Sequence, residues 1–248
     1  SKLEVKGNDL ATWDLSAISM ACIKNYLASL SPTDSLKSLK TDFYEPIIDA
    51  GNLDSRKLRP TLYDFLLHRA TDFFKNSEAN VNRPAETFSM NNKSYLYWYK
   101  DFLDTQLPQN TDTFNLNYFA LKLLQDAAHF HTKDATPEAL IDVELERLEW
   151  VWNNYNLSNK DSLYLAALSK LEEKFSTSPA SAEINYYRAT WYNTKGGEYK
   201  PLQGDSLKWH NKTAHQIAGD AMKKYPGSYG ASLCKQLIAT LNIKLLSC

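Results

Sequence analysis

Glycine and proline are scarce in this chain, 8 and 9 among 248 residues. Folds that turn tightly between short strands use more of both, so the shortage argues against an all-β protein. Cysteine is scarcer still: Cys22, Cys234 and Cys248 lie far apart, and three thiols make no disulfide framework. Cys22 and Cys234 read as small buried hydrophobes on helices, Cys248 as an exposed residue. Neither sign of charge dominates, since 28 basic residues are mixed with 29 acidic ones for a net charge of −1. Without a polyelectrolyte field, nucleic acid is not an expected partner. No apolar run approaches the roughly 20 residues of a membrane span, and no signal peptide is legible. The abrupt polar start, SKLEVKGNDL, and the stop directly after a helix read as a piece of a longer chain, so the missing targeting segment says little about location.

What is present is ordinary globular composition, 43% hydrophobic and 23% charged, enough for one large domain or two small ones. A chain of this size buries roughly 70–75% of its unfolded surface. Aromatics reach 12%, with 15 Tyr and 6 Trp. Each tyrosine needs a wet or hydrogen-bonded end, which points to half-buried helix faces or an interaction surface.

The clearest pattern lies at 59–76, RPTLYDFLLHRATDFFKN. Pro60 belongs at the start of a helix, where its missing N–H costs nothing. Thr61 and Asp64 form a capping-box pair with Asp in place of the usual Glu. Leu62, Leu66, Ala70 and Phe73 make one apolar stripe, and Tyr63, Leu67, Ala70 and Phe74 a second, so the helix is packed on more than one side. Before it, a helix is expected at 13–29 with Ile18, Cys22, Ile23, Tyr26 and Leu27 inward. Leu36, Leu39, Phe43, Ile47 and Ile48 continue at helical spacing, interrupted by Pro46. Residues 77–94 read as a long loop, and SYLYWYKDF at 94–102 fits either a strand-like cover or a short helix.

Later periodicity predicts helices at 114–131, from 138 onward, and at 161–175, 182–193, 205–225 and 229–241. Ile141, Leu145, Leu148, Trp152 and Tyr155 form the seam of an antiparallel hairpin. Tyr164, Leu168, Leu171 and Phe175 seam the next helix. Ala214, Ala218 and Ala221 precede Pro226 at the small-residue offsets of a tetratricopeptide-like repeat; Ala167, Leu171, Ala189 and Tyr192 partly match around Pro179. The expected fold is all-α: antiparallel hairpins stacked as a degenerate TPR-like α-solenoid, with an irregular aromatic-rich segment around 80–110. Residues 1–248 read as one helical domain with sub-parts 1–78, 79–110 and 111–248.

No residue set amounts to a reaction site, so no enzyme, cofactor or metal is expected. His129 and His131 face different sides of one helix, His210 and His215 are five apart, and His68 lies mid-helix. The acidic run Glu138, Asp142, Glu146 and Glu149, interspersed with Arg147, reads as a solvated helix face. Nucleotide-binding loops and nucleophile elbows are missing, and Gly196-Gly197 reads as a turn. Tyr95, Tyr97, Trp98 and Tyr99 are the one candidate binding set, as a platform for peptide or glycan; the competing reading is a cover that plugs gaps between helices. Tyr186, Tyr187, Trp191 and Tyr192 pose the same choice, with packing between repeats preferred. Three Asp-Ser-Leu triplets, at 34–36, 161–163 and 205–207, read as helix caps; they also resemble a short O-glycosylation acceptor motif of Bacteroidetes envelope proteins.

The run LKSLKTDFYEPIIDAGNLDSRKLRPTLYDFLLHRATDFF (36–74) resembles the N-terminal helical region of the alpha-2-macroglobulin-like large envelope proteins of Bacteroidetes. ALIDVELERLEWV (139–151) and AMKKYPGSYGASLCKQLIATL (221–241) resemble later helices of that region. The resemblance implies a tetratricopeptide-like portion lying before macroglobulin β-domains, in a protease trap of the periplasm or cell surface. Downstream macroglobulin-type domains, and another envelope protein, are the implied partners. Cys234-Lys235-Gln236 lacks the Gly-Glu-Gln sequel of a thioester, so no family site residue carries over. A free-standing TPR-like or SusD-like binding module is the alternative.

Overall fold

The computed structural model describes residues 10–44, 46–47, 53–76, 88–108, 115–154, 156 and 158–246. Among these the fold is all-α, with eleven α-helices and no strand; an isolated antiparallel bridge joins Lys40 and Thr61. The helices are α1 (Leu15–Ser29), α2 (Thr33–Ser38), α3 (Leu53–Leu58), α4 (Leu62–Lys75), α5 (Tyr99–Leu103) and α6 (Leu116–His131). They continue with α7 (Glu138–Asn154), α8 (Lys160–Phe175), α9 (Ser181–Gly197), α10 (His210–Lys224) and α11 (Tyr229–Leu246). Two compact units result: Ser1–Asn92 with Leu103–Lys133, and Lys93–Phe102 with Asp134–Cys248. Thus the aromatic stretch belongs with the later helices, and 103–133 with the earlier ones.

In the first unit α4 packs on α6, α2 and α1. Its start is the expected capping box: Thr61 Oγ1 accepts from Asp64 N at 3.3 Å, and Asp64 Oδ2 accepts from Thr61 N at 2.9 Å. Thr61 is the cap itself, so Pro60 lies just outside the helix, where its carbonyl accepts from Thr41 N at 3.0 Å. Of the two stripes, Tyr63, Leu67, Ala70 and Phe74 are buried, while Leu62, Leu66 and Phe73 are half-buried. Phe73 of the first stripe stacks on Tyr26 of α1 at 4.6 Å and Phe74 of the second meets Phe119 of α6 at 5.4 Å, so each stripe ends against a neighbouring ring.

Several apolar residues expected inside are outside. Ile18 is 42% exposed on α1, and Phe43 and Ile47 are each 81% exposed. α2 ends at Ser38, and a 3-10 turn, Thr41–Tyr44, follows; the helical period that would have aligned Leu39, Phe43 and Ile47 is therefore broken. Ile48 and Tyr155 lie outside the described residues, as does most of the expected loop at 77–94.

The second unit begins with the aromatic stretch, which is helical in two short pieces, a 3-10 turn (Lys93–Leu96) followed by α5. It packs against α7 and α8. α9 packs on both α10 and α11, around Ala189, Ala214, Ala218, Ala221, Cys234, Leu237 and Leu241. The approach of α11 to α9 is very close: a Cβ on Gly230 would stand 2.3 Å from Glu183 N and 2.4 Å from Ala182 C. Gly196-Gly197 ends α9 instead of opening the following insertion, and α10 starts at His210, later than the period suggested.

Candidate functional site

The site worth building is the aromatic stretch Lys93–Phe102 and the helices under it. Its foundation is Arg147 on α7, which is wholly buried together with Glu144 one turn earlier. This corrects the reading of Arg147 as part of a solvated face. Glu149 is indeed exposed, and Glu138, Asp142 and Glu146 are half-buried, but Arg147 turns inward. Burying a guanidinium is tolerable only when its charge and its donors are met. Here Arg147 Nε donates to Glu144 Oε1 at 2.8 Å and Nη2 to Glu144 Oε2, a bidentate pair. Nη2 also donates to the Tyr97 carbonyl at 2.8 Å, and Nη1 donates to the Tyr95 carbonyl. The guanidinium lies over the Phe102 ring at 4.1 Å. One side chain thereby fastens both ends of the aromatic stretch to α7.

That fastening sorts the four candidate binding residues. Tyr95 and Tyr99 face inward, at 1% and 6% exposure, and serve as core. Burial, with the Glu144 charge in addition, raises the Tyr99 hydroxyl above its ordinary pKa. Tyr97 and Trp98 stay half-exposed. With Leu96 and Asp101 they line a cavity of about 240 Å³ whose other wall is Leu163, Ala166, Ala167 and Lys170 of α8. Lys170 Nζ lies 5.3 Å from the centre of the Trp98 ring and 3.5 Å from Asp101 Oδ2. Lys100 Nζ lies 5.5 Å from the same ring. The Trp98 indole N–H is buried and meets no acceptor among the described residues.

Sequence reasoning missed the α8 wall. Its signal was present as the spacing Leu163, Ala166/Ala167, Lys170, a second stripe beside the Tyr164–Leu168–Leu171 seam. Only the path of the aromatic stretch gives that stripe a partner.

The other candidates are structural. Trp152 Nε1 and Trp191 Nε1 both donate to Asp161 Oδ1, at 2.7 and 3.1 Å, and Lys195 Nζ lies 3.2 Å from Oδ2. Burial works to raise the Asp161 pKa; hydrogen bonds from Trp152, Trp191 and Lys195, with the Lys195 charge, outweigh it and hold the carboxyl below its usual range. Asp161 is therefore a bracket joining α7, α8 and α9, not a cap: Asn159 is the N-cap of α8, and no side chain caps that end. The triplets at 34–36 and 205–207 do not cap either; α2 is preceded by Pro32 and α10 by Trp209. Tyr186 and Tyr192 pack on the alanine-lined cluster of α9–α11, and Trp191 and Tyr192 flank His210. In the first unit His131 and Asp64, each side chain 1% exposed, meet at 2.9 Å. Burial pushes the Cys234 thiol up to about 11, so it stays protonated and inert at neutral pH. Among the described residues no group of three or more His, Cys, Asp or Glu is placed to hold a metal, and no helix is long and apolar enough to cross a membrane.

Comparison with protein-family models, curated proteins and solved structures returns no match.

Asp101 and Lys170 are both about half exposed and are held against each other. An apolar floor with a charged rim suits a side chain inserted from outside.

Proposed function

We propose that this chain is a non-enzymatic helical scaffold that docks a partner protein through the stretch Lys93–Phe102. The supporting observation is Arg147: a fully buried guanidinium that ties the Tyr95 and Tyr97 carbonyls to α7 and leaves Tyr97 and Trp98 at the mouth of a cavity. Asp64 of α4 and His131 of α6 form a buried pair that joins two helices, while Glu144 pairs with Arg147 within α7. The helices α9–α11 are read as a TPR-like unit of a degenerate solenoid. Ala189, Ala214, Ala218 and Ala221 let neighbouring helices seat closely, and Gly230 brings α11 onto the start of α9.

The family half of the proposal rests on the motifs at 36–74, 139–151 and 221–241. By that resemblance the scaffold belongs to an alpha-2-macroglobulin-like protease-trapping envelope protein, in the periplasm or at the cell surface, and positions the trap domains. The reading frame beyond Cys248 tests it: macroglobulin-type β-domains are expected, and an adjacent stop codon would remove the family reading. A free-standing module is the second reading, favoured by the cavity itself.

The docking half is tested by a photo-crosslinking amino acid at position 97, with adducts identified by mass spectrometry and the identified protein purified for rebinding. A defined partner crosslinked at 97 but not at the exposed control position Lys223 is expected. Equal labelling from both positions would sink the docking surface.

A further inference from the structure

The chemistry of the cavity narrows what it can hold. Its floor is Leu96, Leu163, Ala166 and Ala167, all aliphatic, and its volume of about 240 Å³ suits one large apolar side chain. A sugar needs several side chains that donate to and accept from its hydroxyls, and this floor offers none. The polar groups sit at the rim. Lys100 and Lys170 bring two ammonium groups to the Trp98 ring, and Asp101 faces Lys170 with one carboxylate, leaving one positive charge uncompensated. Lys100 makes no ion pair among the described residues. The Trp98 N–H adds an unmet donor, whose burial without an acceptor costs about 1–3 kcal/mol in general. Cations and an N–H donor around an aliphatic hole call for acceptors around an aliphatic plug.

We propose that the occupant is an acidic peptide segment of a partner protein, inserting one leucine-like side chain between Trp98 and α8 while its flanking carboxylates meet Lys100 and Lys170. The assignment rests on the docking surface proposed above and names what that surface takes. Electrostatic attraction at such an exposed rim steers association and is screened by salt. The aliphatic side chain supplies the specific part of the affinity.

Fluorescence anisotropy of the full chain with labelled acetyl-EDLED-amide tests this, beside the charge-reversed acetyl-KRLKR-amide, the plug-less acetyl-EDGED-amide and maltohexaose as competitor. Saturable binding of the first peptide alone is expected, weakening several-fold between about 50 and 300 mM salt, as the Debye length shortens from about 14 to about 6 Å. Lys100→Glu with Lys170→Glu should weaken it at least tenfold. Ala166→Trp, on an exposed position of α8, should fill the cavity and weaken it similarly with unchanged thermal unfolding. Equal binding of the basic or plug-less peptide, displacement by maltohexaose, or no binding of the acidic peptide would overturn the inference. If the partner crosslinked at position 97 still binds and needs Trp98, the docking surface survives that result; if neither peptide nor partner binds, both fall.

Discussion

Every nitrogen of the Arg147 guanidinium donates: it meets Glu144, two backbone carbonyls and the Phe102 face. Removing it strands a buried carboxylate, which generally costs about 3–5 kcal/mol. Arg147→Met should therefore destabilise strongly in urea unfolding, and adding Glu144→Leu should recover part of the loss. A double variant as unstable as the single one would mean the ion pair is not the main term. Nothing local marked this arginine as buried. Glu144 and Arg147 three apart look the same on a solvated face, and only the returning chain at Tyr95–Tyr97 supplies the carbonyls that make burial possible. Asp161 was equally disguised by its resemblance to a cap. Because its folded pKa is depressed, its contribution is complete above the ordinary aspartate value of about 3.9 and is lost as pH falls through the lower folded value. Asp161→Asn should flatten that acid limb of the stability profile, measured by thermal unfolding at stepped pH; an unchanged limb would contradict the bracket.

Helices are the scale at which the chain was most readable. The Thr61–Asp64 box, the Tyr63–Leu67–Ala70–Phe74 stripe and the alanines of α10 all occupy the positions their spacing implied, because each is set by neighbours within a turn or two. Leu39, Phe43 and Ile47 were misread for the opposite reason. Their spacing is that of an α-helix but their backbone does not form one, since residues 39–41 are drawn alongside the start of α4 by Leu62 N donating to the Leu39 carbonyl at 2.8 Å, and only a 3-10 turn follows. Helix packing also separates two glycines that look alike in sequence. Gly230→Ala would drive a methyl into the backbone of α9 and should cost about 1–3 kcal/mol. Gly219→Ala, mid-way along α10 with open space around it, should stabilise by about 0.5–1 kcal/mol. Chemical denaturation of the two variants decides; shifts of the same sign would contradict the packing of α11 on α9.

Across the whole molecule, the assignment of Lys93–Phe102 to the unit of Asp134–Cys248 is what sets an aromatic run beside the cavity wall of α8 and makes it a candidate site. Periodicity could not reveal it, because the partners of Tyr97 and Trp98 lie about fifty to seventy positions later, in α7 and α8. Two of the four residues singled out, Tyr95 and Tyr99, became core, and the other two became rim. The central claim is that this rim docks a protein. Isothermal titration of the partner identified by crosslinking at position 97 tests it most directly, comparing the full chain with Trp98→Ala and with the surface control Lys223→Ala. The account predicts at least a tenfold loss of affinity for Trp98→Ala and none for the control. Equal affinity in all three proteins would contradict it.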